Sequence, residues 1–172
     1  GVIHRDLKPG NVKLTAEGRV KVLDFGLAKS VRREAASGEE VTQTVEAAAT
    51  LPGMVVGTAP YMSPEQVRGE ELDTRSDIWA FGCVLYETLA RRRAVGGQSI
   101  TEILAAVLMG EADMAKLPEA TPDGVRSLLK RCLVKDARSR LRDIGDARIE
   151  LEEALGIRES TRPVSIPQSG TK

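Results

Sequence analysis

Residues 4–11 read His4-Arg5-Asp6-Leu7-Lys8-Pro9-Gly10-Asn11, and thirteen residues beyond Asn11 the chain reads Asp24-Phe25-Gly26. Between them, Val12-Lys13-Leu14-Thr15 and Val20-Lys21-Val22-Leu23 alternate apolar and polar residues around Ala16-Glu17-Gly18-Arg19. This is a hairpin signal, with Gly18 where a turn favours positive φ. A hairpin returns the chain to the end it left, so Asn11 and Asp24 are predicted to meet. One amide and one carboxylate oxygen suit a hard cation such as Mg²⁺, which takes a few such ligands plus water and phosphate. Asp6 is left free to orient a hydroxyl. Lys8, two residues on and on the same side of an extended segment, can set a point charge against a phosphate.

Such a set fits phosphoryl transfer, where the protein mainly positions the groups and neutralises charge around an in-line displacement. The order and spacing resemble the protein kinase signature H-R-D-L-x-x-x-N followed by D-F-G, with every fixed position filled. Alone, an Asp-Phe-Gly is usually a turn and a His beside Arg and Asp a solvated loop; the joint order carries the meaning. The resemblance implies Asp6 as catalytic base, Asn11 and Asp24 as magnesium ligands, and ATP and Mg²⁺ as cofactors. Lys8, a catalytic partner in the Asp-Leu-Lys-Pro form, resembles the mark of the Ser/Thr-directed branch. His4 is implied to be structural, Phe25 a packing switch and Gly26 its hinge.

Three later segments resemble the same family in the same order. Gly57-Thr58-Ala59-Pro60-Tyr61-Met62-Ser63-Pro64-Glu65 stands where the family has its A-P-E segment, with Ser63 for Ala. It is similar to the bacterial Ser/Thr form, and the resemblance implies that Thr58 lines the substrate-facing loop and hydrogen-bonds near Asp6. Ser76-Asp77-Ile78-Trp79-Ala80-Phe81-Gly82 is similar to the D-x-W-x-x-G helix start, with Asp77 implied to hold the backbone of the His4-Arg5-Asp6 loop. Asp136-Ala137-Arg138-Ser139-Arg140 implies a buried pair between Arg140 and Glu65.

Residues 27–56 have no sustained period and are rich in Ala, Glu, Thr and Gly, as a long functional loop would be. In the family an arginine at the position of Arg5 often pairs with a phosphate on this loop. Thr42, Thr44 and Thr50 are the candidate phosphosites, and a phosphothreonine there would offer Arg5 three acceptor oxygens. The alternative is that they are ordinary polar loop residues.

The fold class expected is mainly α with a small β-hairpin: the C-terminal, helical lobe of a protein kinase-like fold over residues 1–156, then a polar linker or tail over 157–172. Residues 76–90 are apolar on nearly all sides, predicting a buried central helix. Ser99 and Glu102 predict a capping box before Ile100, Ile103, Leu104, Val107 and Leu108, with Gly110 ending the run. Thr121 as cap and Pro122 in first position open a third helix, and a fourth runs from about Ile144 to Leu155 between Asp143 and Gly156.

The 172 residues carry 25 basic and 25 acidic side chains, a balance that gives no global field for nucleic acid or a membrane surface. No nucleic-acid partner is expected. Arg91-Arg92-Arg93 is the densest positive run, read as a charged helix end, with a docking site as the alternative. Cys83 and Cys132 fall on apolar helical faces, predicting small buried thiols and permitting a cytoplasmic setting. No stretch of 18 or more apolar residues occurs, which leaves open whether the parent protein is tethered to a membrane elsewhere.

The family's G-x-G-x-x-G loop and V-A-I-K lysine do not occur in these residues; the resemblance places them upstream of Gly1. The expectation is therefore a kinase acting on protein Ser/Thr hydroxyls, of which this chain holds the acceptor and metal side. Its partners would be protein substrates and the missing N-terminal lobe, and alone it would be inactive. The alternative is a kinase-derived scaffold that binds partners without catalysis. Ala137 where the family often has Pro, and Val95 and Met114 where aromatics are expected, keep that reading open.

Overall fold

The computed structural model describes residues 2–25 and 57–157. Gly26, Thr42, Thr44 and Thr50 lie outside the described residues, as does most of the 157–172 segment.

The hairpin forms from strands β1 (Val12–Leu14) and β2 (Val20–Val22), paired antiparallel with Val12 opposite Val22 and Leu14 opposite Val20. Gly18 turns it with φ +76°, a conformation in which a side chain would be strained. Leu14 and Val20 are 71% and 64% exposed, so the outer end of the hairpin makes no core.

Among the described residues five helices follow: α1 (Pro64–Arg68), α2 (Thr74–Ala90), α3 (Ile100–Met109), α4 (Asp123–Cys132) and α5 (Ile144–Ala154). Sequence periodicity predicted the last four; α1 is too short to show a period, although Ser63 and Gln66 form a reciprocal capping box that marks it. At Ser99 the predicted box is only half made. Ser99 accepts from Glu102 N at 3.2 Å, but the Glu102 carboxylate takes Gln98 N–H at 2.7 Å, one residue before the cap. The third predicted helix begins one residue later than expected, with Pro122 as a cap that makes no side-chain bond, while the Thr121 carbonyl accepts from Arg126 Nε at 3.1 Å.

Helix α2 is the axis of the core. Ile78, Trp79, Ala80, Cys83 and Tyr86 are buried along it, and all but Ala80 contribute to three apolar clusters that reach α3, α4 and α5. Gly82 lets α4 come close, because a Cβ there would lie 2.8 Å from Cys132 Cβ and 3.0 Å from Leu133 Cδ2. Both cysteines are free and buried, and burial pushes each thiol up to about 12, which makes them inert packing groups.

Trp79 packs beneath the 57–62 loop beside two cations. Lys135 Nζ lies 4.6 Å and the Arg140 guanidinium carbon 5.3 Å from its ring centroid. Lys135 also closes the end of α3, donating to Val107 O at 2.7 Å and Ala106 O at 3.3 Å. The Trp79 indole N–H is, among the described residues, the one buried side-chain polar atom without a partner. Such an orphan costs roughly 1–3 kcal/mol, which the ring's apolar burial and its two cations offset.

Between α2 and α5 an apolar groove of about 350 Å³ lies open, lined by Phe81, Ile144, Ala147, Leu151, Leu155 and Ile157. No helix among the described residues is long and apolar enough to cross a membrane.

Candidate active site

The loop over residues 4–8 is fixed from four directions. Asp77, in the first turn of α2, accepts His4 N–H at 2.7 Å on one carboxylate oxygen and Arg5 N–H at 2.9 Å on the other. Gln66 of α1 donates to Arg5 O at 2.8 Å. Asn11 donates to Asp6 O at 2.8 Å. The fourth tie is the buried His4 ring, whose Nε2 is 2.8 Å from Leu23 O and whose Nδ1 is 3.3 Å from Asp6 N. A carbonyl only accepts, so Nε2 carries the proton and Nδ1 is the acceptor. Arg5 has φ +69° and Asp24 φ +60°, two of the three non-glycine residues with positive φ among those described. Such strain persists where surrounding bonds over-determine the backbone, as they do at Arg5.

Lys8 Nζ donates to Asp6 Oδ2 and to Thr58 Oγ1, each at 2.8 Å, with Asp6 Oδ1 at 3.1 Å. Three of the sequence-derived residues therefore share one contact chain, and Thr58 reaches Asp6 through Lys8. Both side chains of the Lys8–Asp6 pair are about one-quarter exposed or less, so a substrate hydroxyl could reach the carboxylate.

Asn11 is buried, and its Nδ2 points at Asp6 O and Oδ2, the latter at 3.2 Å. That leaves its Oδ1 facing the other way. Leu23 N donates to Asn11 O at 2.8 Å, and the Phe25 ring rests on His4 with centroids 4.8 Å apart. The exposed Asp24, between Leu23 and Phe25, is thus held beside the Asn11 end of the hairpin. Two free oxygen donors of hard character fit Mg²⁺, whose remaining positions water and phosphate fill.

Glu65 and Arg140 form a buried bidentate pair, Nη1 to Oε1 at 2.7 Å and Nη2 to Oε2 at 3.0 Å. Ser76 Oγ donates a further bond to Glu65 at 2.8 Å. Arg140 also donates to the carbonyls of Arg75, Val134 and Lys135, so all five of its N–H groups are used. Burial pushes the Glu65 carboxyl up, but the Arg140 hydrogen bonds and charge, with Ser76, override it and bring it from 4.5 down to about 2.

Two contacts had no place in the sequence reading. One is Gln66 on Arg5 O, for which the S-x-x-Q capping signal at Ser63 was the available pointer. The other joins the Tyr61 hydroxyl to Glu87 of α2, and no local pattern announces it.

Comparison with known proteins identifies the family. The model of the protein kinase domain matches residues 1–148. The chain is 38% identical over 157 residues to the probable serine/threonine-protein kinase SCO3848 of Streptomyces coelicolor, covering 90% of this chain and 22% of that protein. It is 36% identical over 170 residues to the serine/threonine-protein kinase PknA of Mycobacterium tuberculosis, covering 99% and 36% respectively. With PknB of the same organism it shares 48% identity over 99 residues, 58% of this chain and 14% of that one. The chain belongs to the protein kinase superfamily, in its bacterial Ser/Thr type. It spans between 14% and 36% of the length of these three relatives.

Proposed function

We propose that residues 1–156 are the C-terminal lobe of a kinase domain that transfers the γ-phosphoryl group of ATP to Ser or Thr hydroxyls of proteins, with 157–172 as a polar linker or disordered tail. The observation that carries this reading is Lys8 Nζ bridging Asp6 and Thr58 at 2.8 Å on a loop pinned by Asp77. Asp6 would take the acceptor proton, and Lys8 would sit against the transferring phosphate while Thr58 orders the loop on which the acceptor peptide lies. Asn11 and Asp24 would hold Mg²⁺, which neutralises phosphate charge when bound.

These residues contain no glycine-rich phosphate loop and no strand lysine to clamp the nucleotide. The proposed partner that supplies them is a lobe of the same parent protein, in a cytoplasmic setting. Purified residues 1–172 should therefore transfer phosphate negligibly to a generic protein substrate, and the full-length protein should do so with ATP and Mg²⁺. An inactive full-length protein that still captures partners through the helical lobe would favour the scaffold reading.

Activation would come from phosphorylation of the 27–56 loop, with Thr42, Thr44 and Thr50 as candidates and Arg5 as the group that meets the phosphate. Arg5 is exposed, and among the described residues its side chain has no partner. A Thr42→Ala, Thr44→Ala double variant of the full-length protein should lose a phosphopeptide and most of its activity. An unchanged map and rate would remove both threonines from that role.

A further inference from the structure

The sequence reading put Arg91-Arg92-Arg93 at the C-terminal end of a helix, with a docking site as the alternative. The structure agrees on the place: α2 closes at Ala90, and Arg91 caps it at φ +54° with its N–H on Glu87 O at 2.9 Å. All three arginines are exposed, and none takes part in an ion pair or side-chain hydrogen bond among the described residues.

Their position is set from both sides. On one side is Glu87, whose carboxylate accepts from the Tyr61 hydroxyl. On the other is Val95, 5% exposed, which packs in one cluster with Ala59 and Tyr61. Both anchors lead to the 57–62 loop, the loop that Thr58 joins to Lys8 and Asp6. The arginine run therefore borders the surface on which the proposed acceptor peptide lies. Arg93 is also the cation whose charge acts on the Tyr61 phenol, against the burial and the Glu87 contact that push it up. The anions near the run are Glu87, which Tyr61 already occupies, and Asp113, which acts with Arg92 on the Tyr86 phenol; the three guanidinium groups outnumber them.

We propose that Arg91, Arg92 and Arg93 are specificity-determining residues that select acceptor peptides with acidic side chains flanking the Ser or Thr. The inference rests on the kinase reading of the Asp6 site. The chain's own sequence contains such a peptide. Thr42 and Thr44 are flanked by Glu39, Glu40 and Glu46, so a second copy of this chain is a substrate of the selected kind. An anionic membrane is the weaker match, because polybasic lipid sites use clusters of about four to eight cations and this run has three beside a peptide-facing loop.

The test uses the full-length protein and a synthetic peptide of residues 36–49, beside the same peptide with Glu39, Glu40 and Glu46 changed to Gln. The acidic peptide should be the better substrate by roughly tenfold in kcat/KM, mainly through KM, since three exposed charge pairs each add a modest factor. The preference should fade at about 0.5 M salt, where the screening length is only a few ångströms. In the Arg91→Gln, Arg92→Gln, Arg93→Gln variant, and in part in Arg93→Gln alone, the ratio between the two peptides should fall towards one. A wild-type ratio near one, or a preference that survives in the triple variant, overturns the proposal while the kinase reading stands. So does a triple variant that loses binding to phosphatidylserine vesicles but keeps the peptide ratio. Failure to phosphorylate either peptide or any generic protein substrate overturns the kinase reading and this inference with it.

Discussion

Arg140→Ala should lower stability by roughly 3–5 kcal/mol at neutral pH, because it leaves the Glu65 carboxylate buried without its partner. The side chain of Arg140 has no solvent exposure and that of Glu65 only 5%, so water cannot replace the lost bonds. Arg140→Lys should recover little, since an ammonium cannot reproduce the two-pronged contact with Glu65 together with donation to three carbonyls. Replacing both partners, Glu65→Leu with Arg140→Met, should restore part of the loss by removing the stranded charge. The freed carbonyls of Arg75, Val134 and Lys135 keep that rescue incomplete.

The same pair sets an acid limb. Glu65 binds its proton less readily folded, at about 2, than at its ordinary 4.5. The unfolded chain thus takes up the proton first as pH falls. The contribution, on the order of 3 kcal/mol, is fully present above about pH 4.5 and is lost as pH drops towards 2. In Arg140→Ala only the Ser76 and backbone hydrogen bonds are left to oppose burial at Glu65, so the folded protein accepts that proton more readily and the deficit against wild type should narrow below pH 4.5. Urea midpoints at about pH 7 and pH 3.5 check this. An equal gap at both values would show that the loss comes from packing and the carbonyls instead of the charge.

Much of this site was legible because its parts are contiguous in sequence. The 4–11 stretch and the 12–23 hairpin are local objects, and a hairpin must bring its two ends together whatever the rest of the chain does. Asp77 and the Glu65–Arg140 pair were readable only through the order of motifs, since no local rule links residues 72 to 75 positions apart. Gln66 on Arg5, Tyr61 on Glu87 and the two cations beside Trp79 were not legible. Each depends on where a side chain lands after α1, α2 and α3 pack, and neither period nor propensity encodes that. One helix start was misjudged by a residue, at Thr121 and Pro122, where Pro122 and not Thr121 is the cap; at Ser99 the start was read correctly and only the partner of the Glu102 carboxylate differed. The arginine run stands at a helix end, as read, with Arg91 as the cap; what the sequence did not show is that Glu87 and Val95 on either side of it lead to the 57–62 loop.

Asp6→Asn should slow phosphoryl transfer by the full-length protein on the order of 10²–10⁴-fold without unfolding it. The two parts separate cleanly in the geometry. The backbone of the loop is held by Asp77, Gln66 and His4, and Asn11 bonds the main-chain oxygen of residue 6, so none of these ties needs the carboxylate. An amide of the same size keeps an oxygen for Lys8 but has no basic site for an acceptor proton. The loss should therefore appear in kcat, with KM for peptide and ATP little changed and the urea midpoint within about 0.5 kcal/mol of wild type. A loss confined to KM would mean that Asp6 serves mainly to hold Lys8 against Thr58. In that case Lys8→Met, which breaks the bridge and leaves the carboxylate in place, should reproduce the same kinetic change, and the proton would have to leave by another route.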